Sequence, residues 1–188
     1  GCGAQGAKQD RRGQQGQGDV AAALRVLLAA VDANGEDADG MYPPTSTEIR
    51  LYVGLLAAHR GDAGAVAEML RRSRDSCIVR DYPSVAQLQQ VLLAEQDRLA
   101  GKPQAAIDRL APLAKQETSL VAVHWALERA ARSAGDDALA NEQHQWLRTH
   151  RGRVYAESTT TDLLRFFNTA VSREARRQGQ QADAAGTR

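Results

Sequence analysis

The sequence predicts an all-α protein of stacked antiparallel helical hairpins, closed by a C-terminal capping helix. Three observations predict this. Apolar residues recur at three- and four-residue steps through most of the chain, the period of amphipathic helices. Glycines interrupt that pattern at Gly18, Gly61, Gly101 and Gly135, which lie 43, 40 and 34 residues apart. Spacings in this range mark helical pairs that stack on one another. The chain has 188 residues, 43% hydrophobic and 25% charged, which suits a soluble globular protein able to bury about 70% of its unfolded surface.

Residues 1–18 are rich in Gly and Gln and nearly free of apolar side chains, so they read as a flexible tether that cannot offset its ordering entropy. Residues 19–177 form the helical domain, and residues 178–188 a polar, disordered tail. Asp19 is placed to cap a first helix with the stripe Val20, Leu24, Leu27, Leu28 and Val31. Asn34 to Thr45 is a loop. Its acidic run superficially suits a calcium loop, but Asp37 stands where the turn glycine belongs and Pro43 where the bidentate Glu belongs.

Ser46 or Thr47 starts the next helix, Ile49 to His59, which is apolar on most sides and so should be well buried. Ala63 to Arg74 pairs with it after Gly61. Cys77 falls in a connection closed by the extended dipeptide Tyr82-Pro83 and reads as a small buried hydrophobe. The central hairpin, LLAEQDRLAGKPQAAIDRLAPLA, joins Ser84–Leu99 to Pro103–Ala114. Gly101 suits the left-handed end of its first helix, and Pro103 the first turn of its second. Ser119 to Ala134 and Asp136 to His150 make a third hairpin, with Gly152 as a stop signal and Trp125 and Trp146 as core residues. A last helix, Asp162 to about Arg177, carries Leu163, Phe166, Phe167, Ala170 and Val171 on one stripe and suits a terminal cap.

Around Gly101, the residues Leu93, Ala94, Ala106, Ile107 and Leu110 resemble a tetratricopeptide repeat. The following hairpin keeps Leu127, Gly135, Ala140 and Leu147, but has Glu128 where the family prefers a small residue and His144 in the place of Leu110. The preceding one keeps Val53, Gly54 and Gly61. The resemblance covers roughly Asp19 to Gly152 and implies a solenoid scaffold for protein–protein interaction. An irregular helical bundle is the alternative. The stretch Trp146 to Glu157 is also similar to the ends of helical-repeat regions in some bacterial signalling proteins, which implies a sensory or regulatory module as the second functional reading.

Gly1-Cys2 resembles the cleavage junction of bacterial lipoproteins. That resemblance implies lipidation of Cys2 and a periplasmic, membrane-anchored protein of the cell envelope; a cytoplasmic location is the alternative. A formal charge of +1 and 4% aromatic residues offer neither the basic footprint nor the stacking platforms of a nucleic-acid binder.

No glycine-rich phosphate loop, nucleophile elbow or HExxH motif is present. His59, His124, His144 and His150 lack the spacing of a helix-borne metal pair, and two cysteines build no disulfide framework. The sequence therefore reads as a non-enzymatic binder without metal or cofactor, with an enzyme as the rival class. In tetratricopeptide stacks the first helix of each hairpin lines a groove. By that resemblance the peptide-binding residues are Leu88, Val91, Glu95 and Arg98 on one face, and Trp125, Arg129 and Arg132 on the next. Guanidinium groups grip carboxylates bidentately, which points to an acidic or carboxylate-ended peptide. The same residues admit a second reading, with Trp125 in the core and the arginines paired to Glu95 or Glu128.

Overall fold

Three tight turns organise the helices. The computed structural model describes residues 45–74, 77–150, 152–153 and 157, and all of these belong to one compact unit. The described residues form seven helices and no strand: α1 (Thr45–His59), α2 (Ala63–Ser73), α3 (Cys77–Asp81), α4 (Pro83–Leu99), α5 (Pro103–Ala114), α6 (Val121–Ala134) and α7 (Asp137–Thr149). The all-α class is therefore observed. The tether with Cys2, the helix beginning at Asp19, the acidic loop up to Pro44, the final helix and the tail lie outside the described residues.

The turns after α1, α4 and α6 share one geometry. Gly61, Gly101 and Gly135 have φ of +78°, +75° and +77°, a conformation that glycine adopts without the penalty a Cβ imposes. In each, the residue after the glycine donates its N–H to a carbonyl five residues back: Asp62 to Ala57, Lys102 to Asp97 and Asp136 to Ala131, at 2.9–3.0 Å. These bonds satisfy carbonyls that the helix end leaves without partners. The Asp62 and Asp136 side chains then cap α2 and α7, accepting from Ala65 N and Leu139 N at 3.0 Å. Pro103 occupies the start of α5, as its spacing predicts, and Pro83 does the same for α4 after an extended Tyr82.

Several boundaries differ from expectation: α1 begins at Thr45 rather than Ile49, and α6 at Val121 rather than Ser119. The connection holding Cys77 is partly helical, as the short α3. Gly152, expected as a stop, is itself helical, and α7 has already ended at Thr149. There the His150 N–H returns to the Trp146 carbonyl, so a local hydrogen bond rather than a glycine completes the helix.

Within the hairpins α1 packs on α2, α4 on α5 and α6 on α7. Between hairpins, α4 touches α1, α2 and α6, and α5 touches α6. The helix α4 is thus the hub. Its Val85, Leu88, Val91 and Leu92 are at most 1% exposed, and Leu51, Leu55, Val66, Leu110, Val121 and Leu127 of the helices packed on it are equally buried. Full burial of each such side chain contributes about 1.5–3 kcal/mol. The approach of α1 to α4 depends on Gly54, since a Cβ there would lie 2.5 Å from Leu92 Cδ2 and 3.2 Å from Met69 Cβ. Ala106 and Ala140, which follow their turn glycines by five residues, are both 0% exposed, and Val66 holds the same place in the first hairpin.

Candidate functional site

The polar residues of the described helices form three clusters, one at the hub and two between α6 and α7. The first centres on Glu95, 1% exposed in the last part of α4. Arg98, one turn on, grips it bidentately, with Nε 3.0 Å from Oε1 and Nη2 2.8 Å from Oε2. Arg129 of α6 approaches the same carboxylate at 3.6 Å. Its Nη2 also donates to the Ala58 carbonyl at 3.1 Å, and its Nη1 lies 3.2 Å from His59 Nδ1. Arginine only donates, so that His59 nitrogen accepts. The guanidinium carbon sits 4.6 Å above the Trp125 ring. Ala58 is in the last turn of α1, where carbonyls leave partial negative charge that a cation offsets. One arginine thereby joins α1, α4 and α6.

The second cluster lies between α6 and α7. Glu128 is 7% exposed; its Oε1 accepts from Arg132 Nη2 at 2.8 Å and lies 3.1 Å from His144 Nδ1. Glu128 and His144 replace the pairs Gly54/Leu70 and Ala94/Leu110 of the earlier hairpins. The two departures from the repeat pattern are therefore one feature: a polar pair at the two positions that hold a small residue and a leucine in the other hairpins.

The third cluster was not legible as a unit. His124, 2% exposed on α6, lies with Nδ1 2.8 Å from Gln143 Oε1. Its ring stacks on Trp146 with centroids 3.4 Å apart and planes 8° from parallel, and Trp146 stacks on His150 at 4.3 Å and 9°. Burial pushes the His124 imidazole down to about 4 against the Gln143 hydrogen bond, which favours the charged ring, and the charges of His150 and Arg153 add to the fall. The available signal was the spacing of Gln143, Trp146 and His150, which puts them on one face of α7. Nothing in the sequence paired that face with His124.

Polar side chains also settle the turn into α6. Gln87 of α4 accepts from Leu120 N at 3.1 Å and donates to the Thr118 carbonyl at 3.3 Å. Glu157 accepts from Val121 N at 3.1 Å, and Arg153 Nη2 donates to the Ser119 carbonyl at 3.0 Å. A carboxylate at the start of α6 complements the positive end of the helix.

Of the residues expected to line a peptide groove, Leu88, Val91, Glu95 and Trp125 are at most 4% exposed. Arg98, Arg129 and Arg132 are the members that solvent reaches, with side chains 14%, 24% and 47% exposed. The pairings of those arginines match the second sequence reading. Comparison with protein-family models, with curated proteins and with solved structures gave no match to this chain. Among the described residues no three His, Cys, Asp or Glu side chains gather as a metal site, and no helix is long and apolar enough to cross a membrane.

Proposed function

We propose that the chain is a tetratricopeptide-like helical-repeat scaffold that binds a protein partner and catalyses no reaction. The observation that carries this reading is the repetition of one turn, with the same left-handed glycine and the same return hydrogen bond, at Gly61, Gly101 and Gly135. Repeats of this kind stack into extended binding surfaces. The partner surface of choice is an acidic or carboxylate-ended segment, bound at the rim formed by Arg98, Arg129 and Arg132.

Such a ligand must compete with Glu95 and Glu128 for these guanidiniums, so Arg132, the most exposed, makes the first contact. Recovery of acidic peptides on the immobilised protein at low salt, where such contacts are least screened, tests the reading. Arg132→Ala and the pair Arg98→Ala/Arg129→Ala should both lower recovery; equal recovery by all three proteins rejects the acidic ligand.

We further propose a lipid anchor on Cys2, supported by the resemblance of Gly1-Cys2 to a lipoprotein cleavage junction and by the Gly/Gln-rich composition of the residues that follow it. Cys2→Ala in the precursor should release the protein from the membrane fraction. Continued association with that fraction removes the lipid anchor from the proposal and leaves the scaffold reading intact.

A further inference from the structure

His124 is enclosed between α6 and α7, and its two ring nitrogens stand in different surroundings. The Gln143 oxygen only accepts, so the ring proton resides on Nδ1. Nε2 is then a bare acceptor, buried and without a hydrogen-bond partner among the described residues. A second proton must arrive on Nε2, where no acceptor stands within hydrogen-bond reach among the described residues. Among the described residues the charged groups whose fields act on the ring are His150, at the end of α7, and Arg153 beyond it; both oppose the added charge, while the Gln143 hydrogen bond favours it but is outweighed by burial. One turn along the same interface, Glu128, Arg132 and His144 form their own pairings.

We propose that the α6–α7 hairpin is an acid-operated latch, in which protonation of His124 drives α7 away from α6 and bares the face that carries His124 and Glu128. The outlet is α7 because α6 is held on its other sides by α4 and α5, whereas α7 rests mainly on α6 among the described helices. The stack of His124, Trp146 and His150 parts with it.

The sign follows from the imidazole's depressed affinity for protons. The open state, with an ordinary histidine near 6.5, binds the proton first. The closed state is therefore fully favoured above about pH 6.5 and loses ground as pH falls towards about 4. Between pH 7 and pH 4.5 the opening equilibrium should rise roughly 20- to 80-fold, from those two affinities alone. This inference does not depend on the scaffold reading, because it concerns only how one hairpin closes.

Amide hydrogen exchange of the full chain, corrected for intrinsic rates, tests it. Acidification to pH 4.5 should accelerate exchange selectively in α7, while α1 and α4 stay protected. His124→Phe should abolish the selective acceleration. Because it also leaves the Gln143 amide without its partner, His124→Phe/Gln143→Leu is measured beside it. Uniform acceleration across all helices, or α7 opening that persists in the folded variants, overturns the latch. Should neither variant fold, NMR titration of the wild-type His124 ring decides: a midpoint below about 6 that coincides with α7 opening supports the proposal, and one near 6.5, or any midpoint uncoupled from opening, overturns it.

Discussion

Replacing Glu95 with alanine should be among the most damaging single changes to this protein. The carboxylate is 1% exposed, while its partners Arg98 and Arg129 are 14% and 24% exposed. Removing one member of a buried ion pair typically costs about 3–5 kcal/mol, because a desolvated charge loses its counterion. Two features place this case at the lower end of that range. Arg98 still reaches water, and Arg129 keeps the Ala58 carbonyl and the face of Trp125. Alanine is as good a helix former as glutamate, so propensity adds little.

The expected loss is about 3 kcal/mol, equivalent to roughly 6–12 °C in the melting midpoint of a domain this size. Glu95→Gln keeps the shape and one acceptor and should lose less. Urea unfolding followed by far-UV circular dichroism measures both. The exposed pair of Glu68 with Arg71 is the control. Its carboxylate is held down to about 2 chiefly by the Arg71 hydrogen bond, yet Glu68→Gln should shift the unfolding midpoint far less, since surface pairs are screened by solvent. A loss below about 1 kcal/mol for Glu95→Ala, or an equal effect at Glu68, refutes the reasoning that burial makes the Glu95 pairing matter.

Ala106→Trp should destabilise by at least about 1–3 kcal/mol, since the site is fully buried and overpacking forces its neighbours off their rotamers; an unchanged thermal midpoint would dismiss the assigned register. Gly135→Ala should cost about 1–2 kcal/mol through backbone strain alone, because φ is +77° and no atom lies within 4 Å of the added Cβ, so the variant should melt earlier with an unchanged fold. Glu128→Ala should destabilise by leaving the buried side of His144 without its partner, and His144→Leu less, since Glu128 keeps Arg132, while the double variant should recover part of the loss; a double-mutant cycle with coupling below about 0.5 kcal/mol would show that the two do not act as a unit.

The hairpin turns were legible in the sequence because their determinants are local. A glycine is the residue that enters the left-handed region cheaply, and Pro103 fits only the opening of a helix, so Gly61, Gly101, Gly135 and Pro103 could be placed without knowing any neighbour. The burial of α1 was legible for a similar reason, since its apolar residues surround the helix on most sides. Stop signals were weaker, and α7 ended on its own backbone hydrogen bond three residues before Gly152.

Charge pairing was legible only as alternatives. Helical spacing shows that Arg98 and Glu95 share a face, but whether that face meets water or another helix depends on the packing of α4 against α6. The convergence of Arg129 on Ala58 and His59 spans about 70 residues of sequence, and the stack of His124 on Trp146 joins two helices whose patterns are each complete without the other. Local backbone chemistry set where the helices begin and turn. Tertiary packing decided which polar side chains leave water, because desolvation is a property of what surrounds a group and not of the residue itself.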